Sequence, residues 1–242
     1  MNLFGATRRQ ARLLICAIFF FLHCISISIA FNASVDLRVL GDGFHRRLEY
    51  HVNIGNLTKE NCYVALFIEF SSALYVNVDE LADLHRFEKE FQNVVCSVGE
   101  TNIELFAEKA MSQNVTVCSL LNNITSILTI PIHQRYQNAR EGGGYINVSL
   151  PSPKLLLGCK ERVKGYRVSK VELCLPCADL VTKWREIPYY STTCNYVWQV
   201  PVGDLSHLTL VTNVTLLLTS LGALFALKRI WSNRSSRSKK EN

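Results

Sequence analysis

The chain has 242 residues, 48% of them hydrophobic, and carries 26 lysines and arginines against 20 acids, a formal net charge of +6. The excess sits at the ends: three arginines precede residue 31, and six bases with one acid follow residue 227. Residues 31–207 therefore hold seventeen bases and nineteen acids, a net of −2. A basic nucleic-acid surface is excluded for the part of the chain long enough to build a core.

Residues 1–30 are expected to be a signal peptide. Arg8, Arg9 and Arg12 form a basic start, Leu13 to Ile29 is apolar, and Ser28-Ile29-Ala30 puts small residues at a cleavage site. Residues 31–207 follow as one lumenal domain without a Pro/Gly/Ser-rich linker. Its turn at Gly41-Asp42-Gly43 opens onto Leu48, Tyr50, Val52 and Ile54, which alternate with Glu49, His51 and Asn53 as a half-buried strand does. Tyr63 to Phe70 is a short apolar run of strand formers. Leu81, Leu84 and Phe87 have helical spacing, which predicts a short surface helix within Val78 to Phe91. Strand-like runs return at Ile124 to Ile132, Tyr145 to Leu150 and Tyr196 to Val200, separated by Gly142-Gly143-Gly144 and Pro151-Ser152-Pro153. Several short strands with few helices predict a mainly β fold, a single β-sandwich-like domain.

Residues 208–227 are twenty uncharged positions, and at ~1.5 Å per residue they span ~30 Å, one hydrocarbon core. Lys228, Arg229, Arg234, Arg237, Lys239 and Lys240 place the tail, 228–242, in the cytosol by the positive-inside bias, so the chain is expected to be single-pass type I. The Lys239-Lys240 pair has the position of a dilysine retrieval address to the endoplasmic reticulum. Large apolar residues (Leu210, Val214, Leu217, Leu218, Leu221, Leu224 and Phe225) share one side of the membrane helix. Thr212, Thr215, Thr219, Gly222, Ala223 and Ala226 share the other, flanked by Asn213 and Ser220. Small and hydroxylated residues on one side suit a helical partner, and Asn213, Thr219 and Gly222 are the contact candidates.

Five glycosylation sequons fall in the lumenal part, at Asn32, Asn56, Asn114, Asn123 and Asn147. Seven cysteines (Cys62, Cys96, Cys118, Cys159, Cys174, Cys177 and Cys194) are disulfide candidates in an oxidising lumen, with connectivity open. Cys174-Leu175-Pro176-Cys177 has the form of a thioredoxin-like redox pair, but too little chain follows it for that fold. The cysteines contain one tight pair where a zinc cluster needs two, and His45, His51, His85 and His133 have no partner at fixed spacing. No catalytic, metal or cofactor signature stands out.

With these residues laid out, the chain resembles the PIG-X family, accessory subunits of the first mannosyltransferase of GPI-anchor synthesis. The resemblance lies in Asp42-Gly43-Phe44-His45-Arg46, Ala73-Leu74-Tyr75-Val76 with Asp79-Glu80-Leu81, and Pro131-Ile132-His133-Gln134-Arg135-Tyr136. It continues in Leu155-Leu156-Leu157-Gly158-Cys159 and Val200-Pro201-Val202-Gly203. Gln137 departs from the histidine that some members carry there, and Gln92 to Asn122 and Gly158 to Thr193 look divergent. The resemblance implies a non-catalytic subunit, with no cofactor, that stabilises a multi-spanning catalytic mannosyltransferase subunit of PIG-M type in the endoplasmic reticulum membrane. His133, Arg135 and Tyr136 are its first lumenal contact candidates. The rival readings are a type I cell-surface adhesion or receptor glycoprotein and a lumenal thiol-disulfide oxidoreductase.

Overall fold

The computed structural model describes residues 32–87, 93–192 and 196–238. Among the described residues, eleven strands and two α-helices order as β1 (Asn32–Leu40), β2 (His45–Gly55), β3 (Cys62–Phe70), β4 (Leu74–Tyr75), α1 (Val78–Phe87), β5 (Val94–Gly99), β6 (Gln113–Leu120), β7 (Thr125–Gln134), β8 (Gly144–Ser149), β9 (Lys154–Cys159), β10 (Arg185–Glu186), β11 (Val197–Val202) and α2 (Leu208–Ser238). One sheet runs β1-β2-β7-β4 and a second runs β10-β9-β3-β6-β5, while β11 and β8 pair separately. The described chain is thus mainly β, with one C-terminal apolar helix.

The two large sheets face each other across the main core. Leu48, Tyr50, Val52 and Ile54 of β2 and Leu128, Ile130 and Ile132 of β7 meet Val64, Leu66, Ile68 and Phe70 of β3. β2 alternates because only one of its faces is covered: His45, Arg47, His51 and Asn53 stay exposed. β3 does not alternate, because its second face is covered as well. There Ala65 and Phe67, with Cys118 and Leu156, pack against Cys177 and Trp184 from the long segment after β9. A strand buried on both faces needs a continuous apolar run, which Tyr63 to Ile68 supplies before the exposed Glu69.

Three disulfides form among the described residues, one on the main-core face of the second sheet and two holding the second layer. Cys62–Cys159 joins register partners on β3 and β9. Cys96–Cys174 and Cys118–Cys177 tie the Cys174-Leu175-Pro176-Cys177 segment to β5 and β6. The two cysteines of that motif hold different strands rather than each other, so the motif is a staple and not a dithiol pair. Cys194 lies outside the described residues.

The buried amide of Gln113 links the sheets. Its oxygen accepts from the Val76 N–H at 2.7 Å and its nitrogen donates to the Val76 carbonyl at 3.1 Å, so a side chain on β6 completes the backbone pairing just past β4. Asn77 then starts α1, its side-chain oxygen accepting from the Asp79 N–H at 3.0 Å, with Asp79 and Glu80 in the first turn where the helix dipole favours acids. The helix ends its described course at Phe87, and the rest of the expected stretch, 88–91, lies outside the described residues.

The 3-10 turn Leu205–His207 leads directly into α2, and together they carry the 27-residue segment Leu205–Trp231, long and apolar enough to cross a bilayer and unburied by the rest of the described chain. The approach is anchored: the Arg140 N–H donates to the Gly203 carbonyl at 2.9 Å, and Asp204 accepts from the Gly142 N–H at 3.2 Å. The glycine turn expected at 142–144 therefore has a second task, gripping the strand that enters the membrane helix.

Candidate functional site

The site is built by strand register. β2 pairs with β7 so that His45 stands opposite His133, and β4 pairs with β7 so that Tyr75 stands opposite His133 as well. All three side chains leave the sheet on its outer face, forming one cross-strand row, and neighbours in such a row pack against each other. The His45 and His133 rings stack at 4.4 Å and the Tyr75 and His133 rings at 5.0 Å.

The row has a different charge at each end. Glu80, from the first turn of α1, meets His133 Nε2 at 2.7 Å through Oε2 and His45 Nε2 at 3.2 Å through Oε1. At the other end the Arg135 guanidinium lies 4.4 Å over the Tyr75 ring. Only 2% of Arg135 is exposed. Its Nη1 donates to the carbonyls of Asn102 at 2.6 Å and Leu105 at 3.1 Å, which pins the 100–107 segment beside the row. Burial pulls the Arg135 guanidinium below its ordinary value, opposed by Tyr75 and Glu100. Burial likewise raises the Tyr75 phenol, and the Arg135 charge opposes that shift.

Tyr136 follows on the surface. The residue is 69% exposed, its ring centroid lies 4.9 Å from that of Phe44, and its backbone carbonyl accepts from the Ala107 N–H at 3.0 Å. Gln137 donates to the Arg135 carbonyl at 3.3 Å. Behind the row, Arg46 donates to the Tyr196 hydroxyl at 3.3 Å and lies 5.3 Å from the Trp198 ring, so the start of β2 also holds β11, the strand leading to α2.

The structure divides the three lumenal contact candidates. Tyr136 offers an open face. His133 is mostly covered by its neighbours, and Arg135 is inside, its Nη1 donating to loop carbonyls. Residues missed by sequence reasoning are Tyr75, Glu80 and His45. The signal that could have found them is that the blocks containing Phe44 to Arg46, Tyr75, Glu80 and His133 to Tyr136 converge on one face.

Asn32, Asn56, Asn114, Asn123 and Asn147 are all exposed. On α2, Asn213 is exposed and Gly222 has open space around it. Thr219 needs no partner for its hydroxyl, which donates to its own helix at Thr215 O, 2.8 Å, and Leu216 O, 3.1 Å. Lys239 and Lys240 lie outside the described residues.

A family model described as PIG-X / PBN1 matches residues 41–231, the span that contains every element of this face and the membrane helix. The chain is 28% identical over 204 residues to "GPI alpha-1,4-mannosyltransferase I, stabilizing subunit" of Homo sapiens, covering 80% of this chain and 78% of that one. A mouse (Mus musculus) protein of the same description is 28% identical over 203 residues, 79% of this chain and 78% of its own. "Protein pbn1" of Schizosaccharomyces pombe is 23% identical over 201 residues, 78% of this chain and 57% of its own.

Proposed function

Because the chain belongs to the PIG-X / PBN1 family, we propose that it is the stabilising, non-catalytic subunit of GPI mannosyltransferase I, which adds the first mannose to the GPI-anchor precursor. The observation that carries this reading is the extent of the match: relatives named for that subunit align over 78% of their own length.

The mechanism is linkage. A partner that binds the folded form of the catalytic subunit and not its unfolded form stabilises it by about 2.7 kcal/mol when present at a hundred times the dissociation constant. The partner is a multi-spanning PIG-M-like mannosyltransferase. Two surfaces serve the contact, a lumenal one around the exposed Tyr136 and a membrane one on the α2 side that carries Asn213 and Gly222. A helix partner can approach closely at a glycine, and an amide is better placed against protein than against lipid. The β domain braces these surfaces, since Arg46 and the Arg140 turn both hold the approach to α2.

The location follows from the same reading: the endoplasmic reticulum membrane, type I, with the domain 31–207 in the lumen after removal of residues 1–30. The bases after α2 face the cytosol, and Lys239 with Lys240 forms the retrieval address. The exposed sequons, with Asn56, Asn114, Asn123 and Asn147 foremost, are its glycan sites. Purification of the full chain through an affinity tag should bring down mannosyltransferase activity toward glucosaminyl phosphatidylinositol. Recovery of the chain free of that activity, from membranes that contain the activity, would count against the reading.

A further inference from the structure

We propose that His45, His133 and Glu80 form a binding site for one divalent transition-metal ion, with Zn2+ the best chemical fit. The three donor atoms come from three different elements, β2, β7 and the first turn of α1, and lie within 4.8 Å of one another. Nothing in the role of a stabilising subunit calls for such a group.

The donor set decides the class of ion. Two imidazole nitrogens and one carboxylate oxygen suit zinc and its borderline neighbours, whereas calcium and magnesium take shells of oxygen. The three side chains already converge: both Nε2 atoms are aimed at the same carboxylate, at 2.7 Å and 3.2 Å through its two oxygens. Tetrahedral zinc with ligands at ~2.0–2.1 Å needs donor separations of about 3.4 Å, which small side-chain rotations from this arrangement supply. Each neutral imidazole would move its ring proton from Nε2 to Nδ1, leaving the Nε2 lone pair for the metal. The Glu80 carboxylate would offset part of the charge of the ion.

The surroundings preorganise the site. His133 is held between His45 and Tyr75 in the stacked row, so its ring plane is set before a metal arrives. The His45 side chain is 60% exposed, which leaves an open side for ion entry and for a fourth ligand from water or from a partner. A bound ion would clamp α1 to β2 and β7 and stiffen the face that carries Tyr136.

The test uses the full chain, purified in detergent, stripped with a chelator and titrated with Zn2+ alone. Calorimetry and elemental analysis should find one equivalent bound. His45→Gln and Glu80→Gln should each weaken binding roughly tenfold or more, the lower end of the scale for losing a metal-site group. His51→Gln, an exposed histidine on the same sheet face outside the cluster, should leave it unchanged. His45 is exposed enough that its variant should fold, and an unchanged circular dichroism spectrum checks this. Zn2+ should also raise the thermal midpoint of the wild type and leave that of His45→Gln where it was. No stoichiometric zinc in the wild type, or equal binding by His45→Gln and Glu80→Gln, overturns the proposal and leaves a hydrogen-bonded His–Glu–His cluster. Neither outcome touches the mannosyltransferase reading, which is measured separately.

Discussion

Arg135 holds its guanidinium 4.4 Å above the ring of Tyr75, and this stack joins the end of β7 to the edge strand β4 on the face that presents Tyr136. The guanidinium is also what the 100–107 carbonyls bind. A buried cation with carbonyl partners is costly to remove, because its acceptors stay behind without donors. Arg135→Leu should lower stability by about 2–4 kcal/mol, read as a fall in the thermal midpoint of the purified full chain. Arg135→Lys should recover little of it, since an ammonium cannot copy the planar stack on Tyr75. A midpoint within error of wild type for Arg135→Leu would mean that the 100–107 segment is held by other contacts.

Gly158 marks a second close approach. A Cβ there would clash with Val181 Cγ2 and sit 3.1 Å from the Trp184 ring, where the segment after β9 lies directly on the sheet. Gly158→Ala should therefore cost about 1–3 kcal/mol by overpacking. Adding Val181→Ala should return part of that loss, and a double-variant cycle on thermal midpoints measures the coupling.

The Asp204 carboxyl is held below the ordinary carboxylate value, chiefly by the Ser206 N–H, next by the Ser206 hydroxyl, with a smaller contribution from the Gly142 N–H. A depressed folded value contributes stability that is present above the unfolded value and is lost as pH falls through the folded one. Wild type should accordingly lose thermal stability on acidification more steeply than Asp204→Asn. Parallel curves would show that this junction contributes nothing to acid sensitivity.

Much of this fold was readable beforehand, and the reasons for the remainder are physical. β2 announced itself because one face is wet, so its alternation records the core directly. β3 was visible as an apolar run because both faces are dry. β1, β5, β6 and β9 left weaker traces. Two polar residues of β6, Gln113 and Thr116, are buried, and Gln113 finds its partners only in the tertiary structure. The candidate site was harder still. His45 and His133 become neighbours only through the β2–β7 register, and Glu80 joins them only once Asn77 has started α1 in the right place. The disulfides pose the same problem, since Cys174 and Cys177 are close in sequence yet reach two different strands.

On α2, Asn213 and Gly222 are the residues whose chemistry argues for a neighbouring helix, because Thr219 is satisfied by its own backbone. Asn213→Leu with Gly222→Leu should leave the chain membrane-bound but reduce co-purification of the catalytic subunit several-fold, at a cost of roughly 1–2 kcal/mol of helix association. Thr219→Val should have a smaller effect. Equal recovery from the double variant would confine the contact to the lumenal face.

The stabilising role itself is tested most directly by removing the gene and measuring two quantities in the same cells, the abundance of the catalytic mannosyltransferase subunit and the level of GPI-anchored proteins at the surface. Both should fall together, and both should return when the full chain is restored. Normal levels of both in its absence would contradict the account.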